Sequence, residues 1–159
     1  IKPSFSQFFM TWTLSGLWVS LCSMCAVTAI SNPSGIVLNI PTFIGLCLFI
    51  VGFTIEVIAD YQKTVFRSDP GNKNKFIKSG LWSRSRHPNY FGEIILWFAI
   101  ALISFSSLNG TQYLTLISPI FTYLLLVYVS VVRMLEARGD VKWGDNEEYI
   151  KYKKETTLP

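Results

Sequence analysis

Four long apolar stretches, at residues 5–30, 40–58, 91–107 and 113–132, leave this chain little choice of fold class. At 1.5 Å of rise per helical residue each can cross a hydrocarbon core of roughly 30 Å, the third only barely. Only 15% of the 159 residues are charged against 50% hydrophobic, and the mean hydropathy is +0.38. That balance is too apolar for a water-soluble domain. The reading is an all-α, polytopic transmembrane helical bundle of about four spans, with a basic loop and a short C-terminal helix. Ser31-Asn32-Pro33-Ser34-Gly35 and residues 107–111 supply the turns between spans, Pro41 marks a helix start, and Pro119 is expected to kink the last span. The chain reads as one transmembrane domain, 1–159. Because it opens on Ile1, we expect it to be the C-terminal part of a longer chain.

The charges set the topology. Every Lys and Arg is Lys2, or lies in the loop from Lys63 to Arg86, or belongs to the tail that starts at Arg133. Four spans put all three basic groups on one side and leave both opposite loops without Lys or Arg. The positive-inside rule makes that side cytoplasmic, in an endoplasmic reticulum, organellar or bacterial inner membrane.

The acids are more selective. Of ten, six lie in the tail and Asp69 in the loop, which leaves Glu56, Asp60 and Glu93 in or at the ends of spans. Ionisable groups at that depth are costly in lipid and face a bundle interior or a wet cavity. Glu56, Asp60, Lys63 and Arg67 follow at steps of four, three and four, one stripe of a helix with its acids deep and its bases shallow. A polar pocket open to the cytoplasm explains the stripe; so does an ion-paired helix at the membrane surface.

The stretch from Gly80 to Glu93 turns a basic loop into an apolar helix. Pro88 suits a first helical turn, where its missing N–H costs nothing, and holds His87 extended. Arg84, Arg86 and the free N–H groups of that turn are expected to converge on a phosphate or carboxylate. Asn89 and Glu93, four residues apart, share a face.

Asp60-Tyr61-Gln62-Lys63, Arg67, Gly80-Leu81-Trp82 and Arg86-His87-Pro88-Asn89-Tyr90-Phe91-Gly92-Glu93 with Trp97 resemble the C-terminal domain of the steroid 5-alpha-reductase family. The bacterial and algal membrane reductase-like branch is nearest in style, and the likeness runs from about Gly45 to Tyr152. The Arg-His-Pro-x-Tyr core is shared with isoprenylcysteine carboxyl methyltransferases, which bind S-adenosylmethionine; Asn89 and Gly92-Glu93 favour the reductase version. The resemblance implies NADPH inside the bundle, held by Asp60, Arg67, Asn89, Glu93 and Arg133, with Glu56, Arg86, His87 and Tyr90 as further candidate cofactor-binding residues. It implies reduction of an activated carbon–carbon double bond in a lipid or sterol-like small molecule. Methyl transfer from S-adenosylmethionine, and a non-catalytic subunit among membrane protein partners, are the alternatives. The paired histidines and tyrosine of the steroid enzymes are missing after Arg133, where Glu136-Ala137 and Val141 stand, and His87 is the chain's one histidine. The proton donor is not assigned.

The rest excludes more than it assigns. Asp145-Asn146-Glu147-Glu148 fits a helix cap, starting a short helix through Tyr152 that either lids the pocket or lies on the membrane. Arg133, Glu136 and Asp140 share a face. His87 is read equally as a helix cap or a cofactor ligand. Cys22, Cys25 and Cys47 suit packing, no metal-ligand spacing is present, and Asn109-Gly110-Thr111 reads as a turn. The basic loop lacks a nucleic-acid module; membrane lipids account for its charge.

Overall fold

The computed structural model describes residues 4–129 and 131–158. Lys2, one of the charges used for topology, lies outside them. The chain is all-α, and the described residues form no strand beyond a single bridge between Ser85 and Thr157. Helix α1 (Phe5–Ser31) opens with a capping box of Ser4 and Gln7. Helix α2 (Ile40–Ser68) is capped by Asn39, whose side chain accepts from the Thr42 N–H, with Pro41 in the first turn as expected. Helix α3 (Pro88–Phe105) begins at the proline that the sequence singles out.

The fourth crossing is composite. A 3₁₀ segment (Gly110–Leu116) leads into α4 (Ile117–Leu124), a π turn (Leu125–Val129) and α5 (Val131–Trp143). Helix α6 (Glu147–Glu155) follows. Phe5–Ser31, Ile40–Ser68, Pro88–Phe105 and Gly110–Trp143 are all long and apolar enough to cross a membrane. Pro119, where the sequence suggests a kink, falls near the start of a helix. It is the third residue of α4, within the first turn, where its N–H has no helical partner to lose. The departure from α geometry comes later, where the helix widens at Leu125–Val129.

The core is the seam between α2 and α3, and small residues make it. On α2, Gly45, Gly52 and Ala59 recur every seven residues and are buried; on α3, Gly92 and Ala99 do the same. A Cβ on Gly52 would stand 2.7 Å from the Gly92 carbonyl oxygen, and one on Gly92 would stand 2.6 Å from the Gly52 oxygen and 2.8 Å from the Glu56 nitrogen. The two backbones therefore touch. In lipid, where apolar burial drives little helix pairing, such close van der Waals approach is the main source of association.

Helix α1 rests on α3 and α4 through Cys22, Cys25 and Ala29. The Ser118 hydroxyl donates to the Cys22 carbonyl and the Thr122 hydroxyl to the Cys22 sulfur at 3.2 Å, so Cys22 and Cys25 pack as the sequence suggests, whereas Cys47 is exposed on the outer face of α2. At the end away from the basic loop, Asn32 donates to the Ser107 carbonyl and exchanges hydrogen bonds with Gln112. That tie closes the two uncharged loops over one another.

Gly92→Ala should lower stability by about 3 kcal/mol, because the added carbon meets backbone that cannot yield. Gly16→Ala, where nothing lies within 4 Å, should leave it unchanged or slightly raised. Thermal unfolding in detergent compares the two.

Candidate functional site

The loop after α2 is pinned to that helix's outer end by the Gly80-Leu81-Trp82 segment. Gly80 has φ +63°, and a Cβ there would come within 2.6 Å of the Gln62 side chain. The Leu81 N–H donates to Gln62 Oε1 at 3.0 Å, and Trp82 Nε1 donates to the Ala59 carbonyl at 3.0 Å. Lys63 lies over the Trp82 ring. This part of the motif positions the loop.

Arg86 then turns to the C-terminal segment. Its Nη1 donates to the carbonyls of Lys153 (2.6 Å) and Thr156 (2.8 Å), capping the end of α6, and its backbone N–H donates to the Thr157 carbonyl at 3.0 Å. Its Nε reaches Glu136 at 3.2 Å, where His87 Nε2 (2.9 Å) and Lys153 (3.3 Å) also converge. The carboxylate held by this basic turn is the chain's own Glu136. His87 occupies the helix-cap position without a side-chain cap bond; its ring meets Glu136 and stacks on Tyr90 at 5.7 Å.

Helix α6 is docked. Asn146 caps it by accepting from the Glu148 and Tyr149 N–H groups. Tyr149 and Tyr152 pack against Phe76, with ring centroids 5.2 and 5.4 Å away, and the Tyr152 hydroxyl donates to the Trp82 carbonyl at 2.6 Å. Burial pushes the Tyr152 hydroxyl up to about 12, so it stays a neutral donor. Lys78 pairs with Glu148, and Lys153 with Asp140 at 2.6 Å.

These contacts enclose a cavity of about 500 Å³ at the basic end of the bundle. Lys63, Arg67, Lys73, Lys75, Arg86 and Lys142 line it against one carboxylate, Glu136, and Phe66, Phe76, Trp82 and Trp143 are among its aromatic walls. A second cavity, nearly all apolar, lies between α3 and α4 around Phe98, Leu102 and Ile120.

One to three turns deeper, the α2–α3 seam gathers Glu56 and Asp60 with Asn89 and Glu93. Asn89 Nδ2 donates to Asp60 Oδ1 at 3.2 Å. Asn89 is only 8% exposed, yet its Oδ1 has no hydrogen-bond partner. Glu56 and Glu93 are half-buried and within electrostatic range of each other and of Asp60. Among the described residues no cation pairs with any of the three acids.

The candidate residues therefore divide. Arg67, Arg86 and His87 line the basic cavity, while Glu56, Asp60, Asn89 and Glu93 form the deeper group and Tyr90 joins the two through His87. Arg133 lies apart, over the Tyr128 ring at 5.7 Å, and does not join Glu136 and Asp140, which both meet Lys153. Glu136 is the hub that sequence reasoning misses as a site residue; the one signal for it is the face it shares with Asp140 near the end of the last span. No group of metal-ligating side chains occurs among the described residues.

A helical membrane bundle with a basic cavity above an acidic seam is the class that fold and site define. Residues 2–156 match the family described as protein of unknown function DUF1295, and the chain belongs to it, a steroid 5-alpha-reductase-like family. It is 33% identical over 114 residues to "Probable O-methyltransferase ustE" of Ustilaginoidea virens, covering 62% of this chain and 40% of that protein. It is 36% identical over 62 residues to steroid 5-alpha-reductase DET2 of Gossypium hirsutum, covering 39% and 24%. With Delta(14)-sterol reductase erg24 of Schizosaccharomyces pombe the identity is 32% over 133 residues, covering 72% and 29%. The chain thus spans well under half the length of these relatives. No solved structure matches it.

Arg86→Ala should free the C-terminal segment, since it removes two carbonyl caps and a partner of Glu136 together. Trypsin should then cut at Lys151–Lys154 at least about tenfold faster, a local opening cost of about 1.4 kcal/mol or more, with Arg84→Ala as the unaffected control.

Proposed function

We propose that this chain is the cofactor-binding part of a membrane reductase that uses NADPH to reduce an activated carbon–carbon double bond in a sterol-like lipid, with its basic end toward the cytoplasm. The observation that carries the reading is the basic, aromatic-walled cavity opening beside the polar seam. Its donor set fits a dinucleotide: guanidinium and ammonium groups suit phosphates, aromatic walls suit a flat base, and the orphaned Asn89 oxygen suits an N–H or hydroxyl donor. Arg67, Lys63 and Lys73 would hold phosphate oxygens, and Asp60, Asn89 and Glu93 would orient hydroxyl and amide groups. When bound, NADPH supplies the hydride. Docked α6 supplies Tyr149 and Tyr152 to the cavity wall, and Arg86 acts by holding α6. The sterol reductase relatives support this substrate class, and the apolar groove between α3 and α4 suits a lipid-facing protein.

A second reading, methyl transfer from S-adenosylmethionine, is favoured by the likeness to ustE and by the excess of acid in the seam. The two separate in one titration. NADPH should bind the purified chain and Arg67→Ala should weaken it at least about tenfold, measured by nucleotide fluorescence; binding of S-adenosylmethionine alone would replace the first reading with the second.

A further inference from the structure

We infer that the acidic seam selects the charge state of the cofactor's reactive head: Glu56, Asp60, Glu93 and the Asn89 oxygen hold a monocation more tightly than its neutral counterpart. The inference rests on the reading that the basic cavity takes a nucleotide cofactor. Three observations support it independently of any relative. First, one face of α2 runs from Arg67 and Lys63, which line the cavity, to Asp60 and Glu56 further along the helix, so the charge that this face presents changes sign. Second, Glu56, Glu93 and the more exposed Asp60 stand within electrostatic range of each other, and among the described residues none makes a contact ion pair, Lys63 acting on Asp60 only from a distance. Third, Asn89 is more than nine-tenths buried against Asp60 and leaves an oxygen lone pair unused.

A nucleotide anchored by its phosphates and ending in a cation matches that sequence of charges. The oxidised nicotinamide ring is such a head and its reduced form is neutral; the methyl sulfonium of S-adenosylmethionine is another, with a neutral thioether as its product. Glu56 matters most, because it is the deepest acid on α2 and its backbone nitrogen lies against Gly92, so its place is fixed by the seam. Favouring the cationic ring over the neutral one also favours hydride leaving the cofactor over its return.

The test is a titration of the membrane-embedded chain with NADP⁺, NADPH, S-adenosylmethionine and S-adenosylhomocysteine, for the wild type, Glu56→Gln and Glu93→Gln. The cationic member of the pair that binds should be preferred, and each substitution should cut the ratio of affinities about tenfold, while Arg67→Ala weakens both members of a pair alike. Ratios unchanged in both variants overturn the inference and leave the nucleotide reading standing. Binding of the S-adenosyl pair alone, with the ratio shifting as stated, overturns the reductase reading and supports the inference. Binding of neither pair overturns both.

Discussion

The structure depends on the contact of two backbones at Gly52 and Gly92. Because neither residue has a Cβ, α2 and α3 meet where carbonyl oxygens and amide nitrogens of one helix lie against the other. A seam that tight fixes helix rotation as well as spacing. Glu56 lies one turn beyond Gly52, Asp60 one turn further, and Asn89 and Glu93 flank Gly92. The small residues are what bring four polar side chains to one place inside an apolar bundle.

The second constraint lies at the basic end. Arg86, His87 and Lys153 close on Glu136, and Arg86 also caps α6. One arginine thus joins the start of α3, the end of the last span and the C-terminal segment. His87 follows it on the same turn, so both hydrogen bonds that the loop makes to Glu136 depend on one short piece of backbone. The motif that introduces α3 builds the cavity wall, and in the proposed reading a phosphate would meet Lys63, Arg67 and Lys73 instead.

Much of this was legible from residue types. Span lengths, the start of α3 at Pro88 and a cap before α6 follow from hydropathy and from local chemistry that acts within a few residues, although the cap falls on Asn146 and not on Asp145 with its acid three residues on. The stripe on α2 was legible because helical period alone sets it. Contacts between distant segments were not. Arg86 reads as a holder of a bound anion because nothing in its neighbourhood reveals its partner Glu136, fifty positions on. Spacing puts Arg133 on one face with Glu136 and Asp140, whereas its guanidinium goes to Tyr128. The seven-residue recurrence of Gly45, Gly52 and Ala59 was visible in the chain, yet small residues carry no charge or bulk to draw attention.

The central claim is that seam and cavity form one cleft for one nucleotide. Hydrogen exchange of the membrane-embedded chain with and without saturating NADP⁺ tests it most directly. The account predicts added protection in two separated groups, residues 56–67 with 86–93 and residues 147–155, and none in α1. Protection confined to the basic end, with residues 56–60 and 89–93 exchanging as before, would contradict it.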